Sequence, residues 1–266
     1  MPSRATTPVR RALSLCAGWL ADRRVPTPLR RAVYGAYCAA TGADAGEAQL
    51  PPSGYPSLNA FFLRRLKAGA RTFDPDPAAL PSPCDGRLQA AGEVTAGRLL
   101  QAKGVDYSVR ELLAGAERDG DLEGALSMTL YLSPRDYHRV HSPLAGLLEE
   151  VVWVPGARFS VAPRVAARRA GLFAANERAV LRFATERGPA FLVMVGALNV
   201  GRIRVVGVAP GSSPSPPRPV ARGDELARFE MGSTVVLVLP RAQGLAAEPL
   251  SPGDQVRLGQ AIARRR

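Results

Sequence analysis

From Pro81 onward, the pattern of this chain is one of short β-rich runs separated by Gly and Asp turns. The runs are Leu126–Leu132, Leu147–Val154, Val180–Thr185, Phe191–Val195, Ile203–Val208 and Val235–Leu239. Apolar stretches of this length, bounded by turn residues, read as strands. No long amphipathic helices alternate with them, which argues against a doubly wound parallel sheet. The pattern predicts a mainly antiparallel, barrel- or sandwich-like β domain. Gly211 to Pro219 is proline-dense and is expected to be an exposed connection without a ladder. Residues 252–262 read as a turn followed by a strand.

Upstream the period changes. Val9, Ala12, Leu13, Cys16, Ala17 and Leu20 recur at helical spacing, flanked by Arg10, Arg11, Arg23 and Arg24. Pro26 and Pro28 interrupt the pattern, and a second helical segment runs from Leu29 to about Ala40. Next, Ser57 or Asn59 can cap a short helix with Phe61, Phe62 and Leu66 on one apolar face. The expected fold class is therefore α+β: a helical N-terminal region, residues 1–56, precedes a β-rich domain, residues 57–266.

Charge adds a partner to this picture. The 266 residues carry a net charge of +12, which attracts either nucleic acid or an acidic membrane face. Aromatics make up only 6% and are not interleaved with the basic residues as a base-stacking surface requires. Basic residues beside an apolar face holding Trp19, Tyr34 and Tyr37 suit an interfacial helix. An ordinary amphipathic pair packed on the domain fits the same pattern. Cys16, Cys38 and Cys84 show no CxxC spacing, so neither a disulfide framework nor a zinc knuckle is indicated. There is no cleavable signal pattern, and the longest apolar run, Ala190 to Val200, falls short of the roughly 20 residues of a spanning helix. A soluble or peripheral protein is expected.

Few residues can do chemistry. Gly232-Ser233-Thr234 opens the last apolar run and places a small hydroxyl at the mouth of a strand. The only two histidines stand three apart in Tyr137-His138-Arg139-Val140-His141-Ser142-Pro143. Ser133-Pro134-Arg135-Asp136 before them reads as a helix start, with Ser133 as cap and Asp136 as the acidic return. One helical turn would put His138 and His141 on one face; a strand would send them to opposite faces. An HxxH pair without a third ligand is weak as a metal site. Asp85, in the Pro83-Cys84-Asp85-Gly86 turn, is the candidate to orient a histidine. Asp85, His141 and Ser233 have the composition of a hydrolase triad, but the GxSxG elbow is missing. Gly232 suggests another use: it permits close attack by Ser233 on the preceding carbonyl, cutting the chain.

Gly232-Ser233-Thr234 after Phe229, the 137–143 and 83–86 stretches, and Phe61-Phe62-Leu63-Arg64-Arg65-Leu66-Lys67 together resemble the phosphatidylserine decarboxylase family. Phe159-Ser160-Val161, Leu172 to Arg178, Val195-Gly196-Ala197 and the Gly253-Asp254…Gly259-Gln260 tail extend the resemblance, in family order, from residue 57 to 262. Met231 stands where the family usually has leucine, and Cys84 where it often has alanine.

The resemblance implies a proenzyme that cleaves itself between Gly232 and Ser233. His141, oriented by Asp85, would take the Ser233 proton, leaving a large fragment, 1–232, associated with a small one, 233–266. Ser233 would become a covalent pyruvoyl group, the only cofactor, with no metal. That group would form a Schiff base with phosphatidylserine, His138 would protonate the product carbanion, and phosphatidylethanolamine would leave. The implied setting is peripheral, on the cytoplasmic face of an anionic membrane, without nucleic acid and with room for a homodimer. Two other readings remain from the residues alone. One is a Ser-His-Asp hydrolase acting on other molecules; the other is a non-enzymatic basic module.

Overall fold

A computed structural model describes residues 19–102, 104–118, 120–197, 203–230 and 233–265. Residues 8–18 of the first expected helix, and Met231 and Gly232 of the expected cleavage motif, lie outside the described residues. The first half contains α1 (Thr27–Thr41), α2 (Leu58–Phe62), β1 (Ala79–Pro81), β2 (Gly86–Glu93), β3 (Arg98–Ala102), β4 (Val105–Ser108), α3 (Val109–Leu113) and β5 (Leu126–Leu132). Then come β6 (Arg139–His141), β7 (Gly146–Val154), α4 (Pro163–Ala166), α5 (Leu172–Ala175), β8 (Arg178–Thr185) and β9 (Gly188–Val195). The chain ends with β10 (Ile203–Val205), β11 (Arg218–Val220), β12 (Glu225–Phe229), β13 (Ser233–Leu239), β14 (Leu245–Ala247), β15 (Gln255–Val256) and β16 (Ala261–Arg265).

An eight-stranded antiparallel sheet, in the order β11-β7-β8-β9-β13-β5-β2-β15, forms the frame. β13 lies inside it, paired with β5 over all seven of its residues and with β9 over Thr234 to Val238. Every residue of β13 is buried, because both faces of the sheet are covered. A strand so placed reads as a continuous apolar run rather than an alternation.

The two faces sort the side chains by parity. Val235, Leu237 and Leu239 pack with Leu88, Met128, Leu130 and Phe229 in one cluster. The small sheets β10-β12-β6 and β1-β16-β14 cover this face, contributing Val140, Leu226, Leu80 and Ile262. Val236 and Val238 join the opposite cluster, under the β3–β4 hairpin and the short helices, through Leu99, Tyr107, Leu112 and Phe173. The fold is thus mixed but mostly antiparallel with few helices, layered as a sandwich would be. Among the described residues no barrel closes, since the sheet ends at β11 and β15.

Ser57 caps α2 as expected, its hydroxyl accepting from the Ala60 N–H at 3.1 Å. α1 ends at Gly42, whose φ of +78° supplies the left-handed turn. A third cluster joins Tyr34 of α1 and Tyr55 to Phe61 of α2, the Tyr34 and Phe61 rings stacking at 5.0 Å. Trp19, Leu20, Leu29 and Val33 remain exposed. No helix among the described residues is long and apolar enough to cross a membrane.

Two expectations change. The run at 203–208 forms a strand only to Val205, because Val206 and Gly207 turn back, with Gly207 at φ +73°. The proline-rich stretch does enter a ladder at its end: Arg218–Val220 pairs with β7, with Pro219 opposite Leu147. That strand is the sheet edge, where proline is tolerated because one side of the ladder needs no donor.

Candidate active site

Ser233 is the first residue of β13, and its Cα partner is Leu132, the last residue of β5. On the other side of β5, β2 places Arg87 opposite Tyr131, so Asp85 lies just before β2 at the same end. With neighbouring strands about 4.8 Å apart, Ser233 and Asp85 flank the exit of β5, two strand positions or roughly 10 Å apart. The chain leaving β5 there is the segment that carries both histidines.

That segment is a turn, not the expected helix. Ser133 donates its N–H and its hydroxyl to one Asp136 carboxylate oxygen, at 2.7 and 2.6 Å, and the Asp136 N–H returns to the Ser133 carbonyl at 2.9 Å. The carboxylate half of a capping box forms, but the serine oxygen caps nothing and no helix follows. Arg139–His141 is instead drawn into β6 by pairing with β12. The two histidines therefore share no helical face.

His138, just before β6, is fully buried. Its Nδ1 lies 2.8 Å from the Asp136 carbonyl, which can only accept. Nδ1 thus carries the proton, and Nε2 keeps its lone pair. That lone pair has no partner among the described residues. The Phe62 ring lies against the imidazole, and burial pushes the pKa down to about 3, with Arg64 adding to the depression. His138 is a neutral base in the intact chain. Its carbonyl accepts from the Phe229 N–H at 3.1 Å, which ties it to the end of β12 ahead of Ser233.

His141 is half-buried and better satisfied. Nδ1 donates to the Gly223 carbonyl at 2.8 Å, and Nε2 accepts from the Tyr137 hydroxyl at 3.2 Å. Burial again lowers its pKa. Its backbone N–H donates to the Pro83 carbonyl at 2.8 Å, which docks it on the turn that carries Asp85. The Asp85 carboxylate is held by Arg71, from Nε at 2.8 Å and Nη2 at 2.5 Å, and by the Leu258 N–H at 2.8 Å. In the intact chain, then, the structure brings Asp85 and His141 to one turn, with their polar atoms bonded to other partners.

Ser233 is fully buried, and its hydroxyl has no hydrogen-bond partner among the described residues. A buried orphan hydroxyl costs about 1–3 kcal/mol and calls for a reason. A pyruvoyl group at this position has a methyl where the serine carries its hydroxyl, and its ketone oxygen takes the place of the amide nitrogen. The change would remove the donor that lacks an acceptor, so the site fits that group. Sequence reasoning missed Arg71 and the Gly223 carbonyl. Tyr137 and Phe62 lay inside recognised motifs, without a role.

The profile of phosphatidylserine decarboxylase matches residues 58–264, from the start of α2 to β16. The chain belongs to the phosphatidylserine decarboxylase family. Curated relatives agree. A phosphatidylserine decarboxylase proenzyme of Marinobacter nauticus is 41% identical over 95% of this chain and 93% of its own. One of Azotobacter vinelandii is 42% identical over 94% and 92%. One of Xanthomonas euvesicatoria pv. vesicatoria is 46% identical over 84% of each. The chain is accordingly a decarboxylase, a carboxy-lyase, and the matched span includes Phe62, Asp85, His138, His141 and Ser233. Among the described residues no cluster of three or more His, Cys, Asp or Glu side chains could hold a metal ion.

Proposed function

We propose that this decarboxylase is made as a proenzyme, cuts itself between Gly232 and Ser233, and then converts phosphatidylserine to phosphatidylethanolamine. The observation that carries the reading is the Ser233 hydroxyl, buried without a partner at the head of the central strand of a chain in this family.

In the first stage a histidine takes the Ser233 proton and the oxygen attacks the Gly232 carbonyl. The peptide C–N bond breaks as the ester C–O bond forms. Loss of the Ser233 α-proton then expels the Gly232 carboxylate and leaves a dehydroalanine. Its imine tautomer takes up water and releases ammonia, giving a ketone at position 233. We assign the base role to His141, oriented by Asp85, because its N–H sits on the Asp85 turn and its Nε2 holds the lone pair. Exchanged roles form the second reading, favoured by the free Nε2 of His138.

In the second stage the ketone supplies an electrophile for the substrate amine and an electron sink as carbon dioxide leaves. The anionic carboxylate and phosphate of the substrate would favour the charged imidazole that burial disfavours in the uncut chain. His138 Nε2 then accepts the proton that the substrate ammonium must lose, and it delivers one to the substrate Cα after decarboxylation. The Asp136 carbonyl keeps the ring in one tautomer throughout. The two fragments stay together because β13 is laddered on both sides by strands of residues 1–232. The exposed Trp19, Leu20, Leu29 and Val33, beside Arg23, Arg24, Arg30 and Arg31, support peripheral docking on an anionic cytoplasmic membrane face.

Mass spectrometry of purified protein tests the reading. Two fragments divided at Gly232–Ser233 are expected, the smaller one carrying a ketone in place of its amine. Ser233→Ala should remain one uncut, inactive chain. Active wild-type protein found as a single intact chain would sink the proposal.

A further inference from the structure

Asp85 is fixed by residues on both sides of the proposed cut. Its Oδ1 accepts from Arg71 Nε and from the Leu258 N–H, each at 2.8 Å, and its Oδ2 accepts from Arg71 Nη2 at 2.5 Å. An ionised carboxylate offers about four lone-pair positions. Three are taken, so a single position on Oδ2 is left to meet a histidine N–H. The plane of the carboxylate, and hence the direction of that last lone pair, follows the plane of the guanidinium.

Arg71 is itself pinned. Its side chain is only 9% exposed. Nη1 donates to the Ala70 carbonyl at 2.6 Å, and Nη2 also reaches Glu47 Oε2 at 2.7 Å. Glu47 comes from the segment that follows α1. It is placed by a short antiparallel run: Lys67 N–H to the Glu47 carbonyl at 2.9 Å, Gln49 N–H to the Arg65 carbonyl at 2.7 Å, and a bridge between Ala48 and Leu66. Arg257 lies 3.7 Å from the other Glu47 oxygen. Glu47, Arg71 and Asp85 thus form a line of charge from the N-terminal region to the edge of the site. A buried ion pair is weak evidence for net stability, whereas a bidentate guanidinium fork fixes geometry, and lysine cannot reproduce it.

We infer that Arg71 is the positioning residue of self-cleavage: it aims Asp85, and Glu47 holds Arg71 in the plane that does so. The inference rests on the reading in which Asp85 orients the histidine that activates Ser233. Arg71 touches neither the scissile bond nor the substrate, and it acts only through the carboxylate.

The test follows self-cleavage of the full chain over time on a denaturing gel. Arg71→Ala is expected to slow conversion by about ten- to a hundredfold, the size of one or two charge-assisted hydrogen bonds. Arg71→Lys should restore little, because it keeps the charge and loses the fork. Glu47→Gln should slow conversion by a few-fold. Millimolar guanidinium chloride added to purified, uncut Arg71→Ala chain should restart cleavage, which a purely structural loss would not allow. Asp85→Asn serves as the separate control. If Asp85→Asn fails to cut while Arg71→Ala cuts at the wild-type rate, the inference fails and the reading beneath it stands. If Asp85→Asn cuts normally, the reading of Asp85 fails and takes the inference with it. Slowed Arg71→Ala that guanidinium does not rescue also overturns it. Should Arg71→Ala not fold, unchanged cleavage in Glu47→Gln decides against it.

Discussion

The rings of Phe62 and His138 lie with centroids 4.0 Å apart and planes tilted by 42°. Phe62 closes α2, whose preceding residue Phe61 is inserted between Tyr34 and Tyr55. One short capped helix thus anchors itself in the N-terminal cluster with one ring and shields the buried histidine with the next. Shielding is what keeps His138 neutral: with its Nδ1–H given to a carbonyl, a second proton would sit on Nε2 without solvent or a partner.

A pH dependence of stability follows. The ordinary histidine value near 6.5 governs the unfolded chain, while His138 in the fold is depressed to about 3. Because the folded value is the lower one, its contribution is whole above about pH 6.5 and is lost as pH falls toward about 3. One proton sets a maximum slope of about 1.4 kcal/mol per pH unit. Urea unfolding at stepped pH should show a shallower slope for His138→Gln than for wild type. Equal slopes would show that His138 is not depressed in the fold.

Removing the shield should move the titration itself. Phe62→Ala is expected to raise the His138 pKa toward the ordinary range and to cost about 3–5 kcal/mol of stability as a core truncation. Phe62→Leu should do less of both. The chain has only two histidines, so NMR of labelled imidazoles assigns the shift directly. An unmoved His138 titration in the alanine variant would refute the shielding role.

What the sequence showed and hid follows from which forces are local. Leu126–Leu132 was legible to the residue because Leu126, Met128, Leu130 and Leu132 alternate with Ser127, Thr129 and Tyr131 at the strand period of two. β2 and β12 were not, since Arg87, Gln89 and Arg228 interrupt their apolar residues at an exposed or half-buried face. Ser133 to Asp136 misled because a serine, proline and acid in that order suit both a helix start and a turn. The pairing of β6 with β12, a long-range event, decided between them. Ser233 at a strand mouth and the histidine pair were readable as chemistry. Arg71 carried no local signal among 35 basic residues, and only the fold shows that it grips Asp85.

The first residue of β2 tolerates no added bulk. A Cβ on Gly86 would stand 2.6 Å from the Tyr131 carbonyl oxygen, a backbone atom of β5. Gly86→Ala should therefore push β2 off β5 beside Asp85, with a loss of about 1–3 kcal/mol as for other overpacked sites. Urea unfolding measures it, and self-cleavage should slow in the same variant. A variant as stable and as quickly cut as wild type would show that the strands separate freely there.

Cleavage should not release the small fragment. Beyond the two ladders of β13, β15 pairs with β2 and β16 with β1, and Arg264 binds Asp74 on the large-fragment side. Residues 233–266 should co-elute with residues 1–232 on a native sizing column and separate only once denaturant unfolds the sheet. Separation of the fragments in native buffer would contradict this placement of β13.

The two histidines can be told apart by what each substitution stops. If His141 is the base for Ser233, His141→Ala should accumulate uncut chain, because the fully buried Ser233 hydroxyl then has no activated acceptor for its proton. His138→Ala should still be cut, since neither its ring nor its Asp136 contact holds the Asp85 turn, yet its decarboxylation should fall by about 10²–10⁴-fold, the usual contribution of a positioned general acid–base. The free Nε2 of His138 and the Tyr137 bond on His141 argue for the reverse assignment, in which His138→Ala is the uncut variant. Tyr137→Phe separates the two. It frees His141 Nε2 without touching His138, so it should alter the rate of cutting if His141 is the base and leave it unchanged if His138 is. Time-resolved gels of the three variants, with lipid product measured on the cut fractions, assign both roles in one experiment.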